Sequence, residues 1–322
     1  MDAGARRRSA RLRLRAAWMY YVEGMTQTAI AESLGVGRVT VVRLLADARA
    51  MHEVRVSVSR DLAELLELEF ELQKRFGVKE AVVAPLSAAE ADPTLSIGAA
   101  TGEYVSRLMR GDMKIGLGWG RTLINSLPFI GEKQLANLSV VSLLGGLTKA
   151  RRYNPSEFAW QFSLLFQADC YLIAAPAFVD SPETKRALVE RCGLKDILDF
   201  ARSLDAVLVS AGGMTRDDTV FRLGFVQEED RRILLAEGAV GDVLCHYFDR
   251  RGRPVDHPLN ETVMAVPIET LSATPLRILA SGGPHKAKAI LGAMRALKPT
   301  ALITDEMTAR AVLQLAGKAE TS

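Results

Sequence analysis

Between Gln27 and Ala48 the chain reads QTAIAESLGVGRVTVVRLLADA, and this stretch limits the possible folds more than any other. The spacing predicts a short helix from Gln27 to Leu34, with Thr26 placed to cap it. Gly35 follows where the chain must turn sharply, and glycine accepts a positive φ there without strain. A second helix is expected from Arg38 to Ala48. Ile30, Leu34, Val36, Val41, Leu44 and Leu45 fall where these two helices and a preceding one would share a small core. Ala31, four residues before Gly35, is small enough to let the helices cross closely. Together these features form a helix-turn-helix pattern, with an ordinary αα-hairpin as the plainer alternative.

Charge separates the two readings. Residues 1–60 hold eleven basic and five acidic side chains, a net +6, while the whole chain is +3. Six of the basic residues, Arg6, Arg7, Arg8, Arg11, Arg13 and Arg15, form an N-terminal arm. Positive charge is therefore concentrated on the segment whose pattern suits the major groove, which makes double-stranded DNA the expected partner. Arg38, Thr40 and Arg43 should face outward on the second helix for base or phosphate contact, with Val39 beside them. Gln27, Thr28 and the arginine arm are placed for the sugar-phosphate backbone.

The remaining residues are enough for a second, larger domain, since the chain has 322 residues, 48% of them hydrophobic and 25% charged. No apolar run approaches the ~18 residues a membrane helix needs, so no membrane association is expected. AAWMYYVEG is too short for a secretory signal and ends at a charged residue. Cys170, Cys192 and Cys245 are widely spaced and odd in number, as in a reducing compartment, and the cytoplasm is the expected location. The four histidines show no ligand spacing, and Cys245-His246 is a lone adjacent pair, so neither metal nor cofactor is expected.

Arg11 to Gly24 reads as the preceding helix, with Ala17, Trp18 and Tyr21 on its apolar face. Val54 to Ser59, VRVSVS, alternates like a half-buried strand and suggests a wing after the recognition helix. Asp61 is placed to cap the next helix, which ends at Gly77. The domain boundary is set near Ser59: residues 1–58 form a winged helix-turn-helix and residues 59–322 an effector and oligomerisation domain.

In that second domain, short apolar runs alternate with helical stretches. Strands are expected at Ala81–Val83, Met113–Leu117, Leu138–Leu144, Cys170–Ala174, Ala206–Val209, Met264–Pro267, Leu276–Ala280 and Ala301–Thr304. The fold class is α/β, a Rossmann-like, mostly parallel sheet covered by helices. Glycines cluster just after these strands: Gly116, Gly118 and Gly120, then Gly145-Gly146, Gly212-Gly213 and Gly282-Gly283. The carboxyl ends of parallel strands line a ligand crevice, and glycine lets backbone N–H groups approach an anion there. Arg121, Thr122 and Lys286 add donors suited to phosphate. The expected ligand is a small anionic or polyhydroxylated molecule, against tight packing turns as the alternative. GLGWGR does not fit GxGxxG, and no GxxxxGK[ST] occurs, so a nucleotide site is not expected.

YYVEGMTQTAIAESLGV, RVTVVRLLADAR, IGLGWGRTL, VVSLLGG, GAVGDVLCHYFDRRGRPV, ILASGGPHKAKAI and LITDEMTARAVL occur in this order along nearly the whole chain. In this arrangement the sequence resembles the SorC family of sugar-binding transcriptional regulators, which includes deoxyribonucleoside regulators. The run LTKARRYNPSEFAWQF is closest to members tied to polyol use, such as erythritol-operon regulators.

The resemblance implies a winged DNA-binding domain joined to an effector domain that resembles ribose-phosphate isomerases and glucosamine-phosphate deaminases. It implies a homodimer or homotetramer that controls a carbohydrate or polyol catabolic operon, as repressor or activator. Operator affinity would answer to a sugar, polyol or sugar phosphate. By matched motif, the effector contacts are Gly118, Gly120, Arg121, Thr122, Gly145, Gly146, Asp242, Gly282, Gly283 and Lys286. Four places depart from the family pattern. Gly37 stands where a serine usually caps the recognition helix, Val42 replaces a polar residue and suits a thymine methyl, Met51-His52 stands where a glycine commonly opens the wing, and Cys245 replaces a frequent glycine. The rival reading is a sugar-phosphate isomerase or deaminase with a DNA-binding head. Asp242, Lys286, Asp305 and Glu306 would supply its acid–base chemistry. No His or Cys stands in a convincing dyad, and Asp305-Glu306 suits the start of the last helix, so no enzymatic activity is expected.

Overall fold

The computed structural model describes residues 3–51, 53–54, 63–88, 91–147 and 154–318. Contacts divide the chain into two units, Met1–Asp61 and Leu62–Ser322.

Three helices make up the described part of the first unit: α1 (Ala3–Tyr21), α2 (Gln27–Leu34) and α3 (Arg38–Ala50). The Thr26 hydroxyl accepts the Ala29 N–H at 3.2 Å and starts α2. Gly35 ends it with φ of 65°, and the Val36 N–H returns to the Ala31 carbonyl at 3.0 Å. Ile30, Ala31, Val41, Leu44 and Leu45 are buried with Ala16, Ala17 and Met19 of α1, and Leu34 and Val36 pack at their rim. Two expectations for α1 change. It starts at Ala3 rather than Arg11, because arginine is a good helix former. Trp18 is 59% exposed, since the helical period places Ala16, Ala17 and Met19 inward instead. A bidentate pair, Arg13 to Glu53 at 2.6 and 2.5 Å, ties α1 to the chain after α3. Most of the expected wing strand Val54–Ser59, and the Asp61 cap, lie outside the described residues.

The second unit opens with α4 (Ala63–Phe76), which ends at Gly77 with φ of 69°. Seven strands follow in one sheet: β1 (Glu80–Ala84), β2 (Lys114–Leu117), β3 (Ser139–Ser142), β4 (Asp169–Tyr171), β5 (Ala206–Val209), β9 (Leu276–Ala280) and β10 (Ala301–Asp305). Their order is β1-β10-β9-β5-β2-β3-β4, and every pairing is parallel. A parallel sheet is covered on both faces, so its inner strands carry apolar residues at successive positions. In β5, Ala206 and Leu208 join one core cluster, while Val207 and Val209 join the other.

The chain runs outward from β2 through β3 to β4, then returns to place β5 on the other side of β2. The sheet therefore reverses its winding between β2 and β5, and the crevice of an open α/β fold forms above such a point. A second sheet of three antiparallel strands stands beyond it: β6 (Ala211–Gly212), β7 (Gly241–Val243) and β8 (His246–Phe248).

Two departures from the sequence reading have local causes. Met264–Pro267 forms no strand; Ala265 makes one isolated bridge to Leu144, and Pro267 lacks a donor and leads into the helix Ile268–Ala273. The β7–β8 hairpin went unforeseen because its two-residue turn is Leu244-Cys245, with φ of 53° and 62°. Such turns normally announce themselves by glycine or asparagine.

Gly102 lies in α5 (Thr94–Leu108), where a Cβ would come within 2.5 Å of the Ser126 carbonyl oxygen and 2.7 Å of Phe129 Cβ. Gly102→Ala should therefore destabilise the second unit by about 1–3 kcal/mol despite alanine's better helix propensity. Urea unfolding checks this through a lowered midpoint at unchanged slope.

Candidate functional site

In the first unit, α3 divides cleanly into two faces. Val41, Leu44, Leu45 and Ala48 are buried, while Arg38, Val39, Val42 and Arg43 are exposed and Thr40 is half-buried. Val39 is 83% exposed and Val42 46%, so two β-branched apolar side chains face solvent beside two arginines. Charge beside apolar contact is the combination that a base-edge surface uses. Thr28 is exposed and Gln27 half-buried at the start of α2. Gly37 precedes α3 without a side-chain cap.

In the second unit, a cleft opens above the carboxyl ends of β2 and β5, where the winding reverses. The turn after β2 contributes Trp119, Gly120, Arg121 and Thr122, and the segment after β5 contributes Ser210, Ala211 and Gly212. Gly120 has φ of 122°, a conformation glycine adopts freely, and the one-turn helix Arg121–Ile124 starts there. Asp242 of β7, Asp218, Thr94 at the start of α5 and Lys286 close the cleft.

Its charges are arranged in pairs. Arg121 Nη1 meets Asp92 Oδ2 at 3.0 Å. Lys286 Nζ lies 3.4 Å from Asp218 Oδ1 and 3.5 Å from the Ala211 carbonyl oxygen. His285 Nε2 is 3.6 Å from the same Asp218 oxygen. The other Asp218 oxygen accepts the Thr215 N–H at 2.9 Å and its hydroxyl at 2.7 Å. Burial alone would raise the Asp218 carboxyl, but His285, Lys286 and Thr215 outweigh it and hold it well below the usual carboxylate range. Asp242 behaves oppositely. Burial pushes it up to about 6, against the pull of the Cys245 N–H and Lys286 and with a further push from Asp218. The cleft thus holds one carboxylate fixed in its charged form and one whose proton is held up to about pH 6.

Of the residues selected from sequence, Gly120, Arg121, Thr122, Asp242 and Lys286 line this cleft together. Five glycines do other work. The Gly118 N–H extends the sheet to the Leu208 carbonyl at 2.8 Å. Gly145 and Gly146 donate to the Met264 and Ala175 carbonyls, both at 2.8 Å, and a Cβ on Gly145 would stand 2.6 Å from the Ala175 carbonyl oxygen. Gly282 lets Asp305 and Ile97 approach, with a Cβ there only 2.2 Å from Asp305 Oδ2. The Gly283 N–H is taken by Asp305 at 3.1 Å and Thr308 at 2.7 Å. The sequence reading missed Asp92, Thr94, Ser210, Asp218 and His285. Asp218 offered one signal, the TRDD run ahead of Thr219.

Asp305 accepts the Thr308 N–H at 2.8 Å and caps the helix Glu306–Lys318, while Glu306 accepts the Leu86 N–H at 2.9 Å and pairs with Arg310. Both carboxylates therefore serve structure. Among the described residues, no three His, Cys, Asp or Glu side chains gather as a metal site, and no helix is long and apolar enough to cross a membrane.

A basic helix-turn-helix unit joined to a parallel α/β unit with a polar cleft at its switch point defines an effector-responsive transcriptional regulator. Residues 60–314 match the Sugar-bind family, described as "Putative sugar-binding domain". The erythritol catabolism regulatory protein EryD of Brucella abortus is 30% identical over 94% of this chain and 96% of its own length. The transcriptional regulator LsrR of Klebsiella pneumoniae is 32% identical over 94% of this chain and 92% of its own. Among solved structures, the full-length sorbitol operon regulator SorC of Klebsiella pneumoniae superposes with a TM-score of 0.75 at 28% identity, covering 94% of this chain and 98% of that one. The chain belongs to the SorC family of sugar-binding transcriptional regulators, and these relatives are all named as regulators.

The raised Asp242 carboxyl has a testable consequence. The folded state keeps a proton that the unfolded chain loses near pH ~4, so this group's contribution to stability declines as pH rises from about 4 to 6. Asp242→Asn keeps an acceptor for the Cys245 N–H and removes the titration. The variant should match the wild type near pH ~4 and exceed it by on the order of 3 kcal/mol at pH ~7. Chemical unfolding of both proteins across that range measures the difference.

Proposed function

We propose that this chain regulates a carbohydrate or polyol catabolic operon by reading operator DNA through α3 and sensing a small effector in the cleft above β2 and β5. The observation that carries the effector half is the meeting of Arg121, Asp218, Asp242 and Lys286 at the switch point of the sheet. Carboxylates accept from sugar hydroxyls, and arginine and lysine donate to hydroxyl or phosphate oxygens. A polyhydroxylated ligand, free or phosphorylated, matches this mixture better than an apolar one. The relatives named for erythritol and sorbitol support the same ligand class.

For the DNA half, Arg38 and Arg43 contact bases or phosphates, Thr40, Val39 and Val42 complete the reading surface, and Gln27 and Thr28 hold the backbone. Two such surfaces in a homodimer or homotetramer fit a palindromic operator. Leu66 and Phe70, one turn apart on α4, are 55% and 65% exposed and support self-association. The cytoplasm, where operator and metabolite meet, is the setting for this role. The effector acts only through unequal affinity for two arrangements of the protein, and by linkage the operator changes effector affinity by the same factor.

Arg38→Ala and Arg43→Ala should each weaken binding to DNA flanking the chain's own gene by ~1–3 kcal/mol, read by fluorescence anisotropy. Normal binding by both variants removes the α3 assignment. A thermal-shift screen of tetritols, pentitols, hexitols and their phosphates should find a ligand that raises Tm in the wild type and not in Arg121→Ala. If that ligand at saturation leaves DNA affinity unchanged, the coupling is overturned.

A further inference from the structure

A second cleft lies in the same unit, at the opposite edge of the sheet. It opens at the amino-terminal ends of β1, β9 and β10 and has a volume of about 550 Å³, within the usual range of small-molecule sites. Phe76, Met294 and Pro299 give it an apolar floor, and Met294 and Pro299 are buried. Its polar lining is cationic. Lys79 stands just before β1, Arg277 lies in β9, and Arg295 and Lys298 come from the end of the helix Ala287–Leu297. Arg75 also lines it. No aspartate or glutamate lines it among the described residues.

Carbonyl capping explains part of this cluster. Arg277 Nε donates to the Lys298 carbonyl at 2.7 Å, its Nη1 reaches the Thr274 and Pro275 carbonyls, and Arg295 donates to the Arg250 carbonyl. Arg277 Nη2 takes no part in these bonds. Capping does not explain Lys79 and Lys298, whose ammonium groups have no hydrogen bond or ion pair among the described residues. Lys298 adds an independent sign. It follows its helix in the left-handed conformation, φ 50° and ψ 59°, where glycine is the usual and less strained residue. A lysine at that position supplies charge to the cleft at a conformational cost.

Lys79 and Lys298 are exposed, and a cleft lined by one sign of charge focuses a positive potential that draws anions into it. We propose that this cleft is a second ligand site, separate from the carbohydrate cleft, for a small organic polyanion with two or more phosphate or carboxylate groups. The concave shape and apolar floor favour a small molecule over the backbone of a nucleic acid. Lys79 and Lys298 supply the direct contacts, Arg277 Nη2 and Arg295 strengthen the field, and Met294 and Phe76 cover the ligand's carbon skeleton.

Inorganic pyrophosphate is the probe, titrated into the full-length protein by calorimetry at constant ionic strength, with inorganic phosphate as the comparison. One pyrophosphate per chain should bind, at least about tenfold tighter than phosphate. Lys79→Gln should weaken it about tenfold. Lys298→Gly should weaken it similarly while raising Tm, because glycine relieves the left-handed strain; a merely structural lysine would change Tm alone. Arg121→Gln, in the other cleft, should leave pyrophosphate affinity unchanged. Pyrophosphate binding no tighter than phosphate, unchanged affinity in both lysine variants, or loss in Arg121→Gln overturns the proposal. So does a result in which the lysine variants lose only DNA affinity, which would assign the cleft to backbone phosphates.

Discussion

Seven strands that all run the same way place their carboxyl ends along one edge of the sheet. The chain can use that edge only through the turns that leave it, and those turns are where polar residues enter. Because both faces of the sheet are packed, Val207 and Val209 on one side and Ala206 and Leu208 on the other, the strands themselves cannot spare a residue for chemistry. The reversal between β2 and β5 then opens a gap between two diverging turns. Arg121 on one turn and Ser210 on the other face the same space for this reason, and the small antiparallel sheet adds Asp242 as a third wall.

Within that space, electrostatics distinguishes two carboxylates of the same residue type. Asp218 is buried, yet it receives a threonine N–H, a threonine hydroxyl and the nearby Lys286 and His285, and remains charged. Asp242 is equally buried but has one backbone donor, from Cys245, and burial raises its carboxyl to about 6. A hydroxyl-bearing ligand bound there, as proposed, would meet one fixed acceptor and one carboxyl more easily protonated than usual. Arg121 and Lys286 are already partnered, so a ligand carrying negative charge must compete with Asp92 and Asp218 for them.

What the sequence revealed depended on how local each cause was. The helix-turn-helix was legible because the Thr26 cap, the Gly35 turn and the Ile30, Val41 and Leu45 spacing all act within twenty residues. Most strands were legible because burial on two faces leaves an unbroken apolar run. The β7–β8 hairpin was hidden because Leu244 and Cys245 occupy positions that normally carry a turn signal. In the cleft, Arg121, Asp242 and Lys286 were found, but Asp218 acquires its role only from His285 and Lys286, far along the chain. The glycines were the hardest to read. One that cradles an anion and one that lets two backbones touch look identical in sequence. Only the Ala175 and Pro176 carbonyls beside Gly145, and the Asp305 carboxylate beside Gly282, tell them apart.

The walls of the proposed effector cleft come from Thr94, Arg121, Ser210, Asp242 and Lys286, pieces gathered from most of the larger unit's length. No short peptide from this chain could reproduce that cleft, and a half-synthesised or clipped copy would lack it. A sensor seated there, as proposed, is withheld until the last crossovers of the sheet are in place, and its occupancy then reports on the completeness of the fold as well as on the abundance of what it senses.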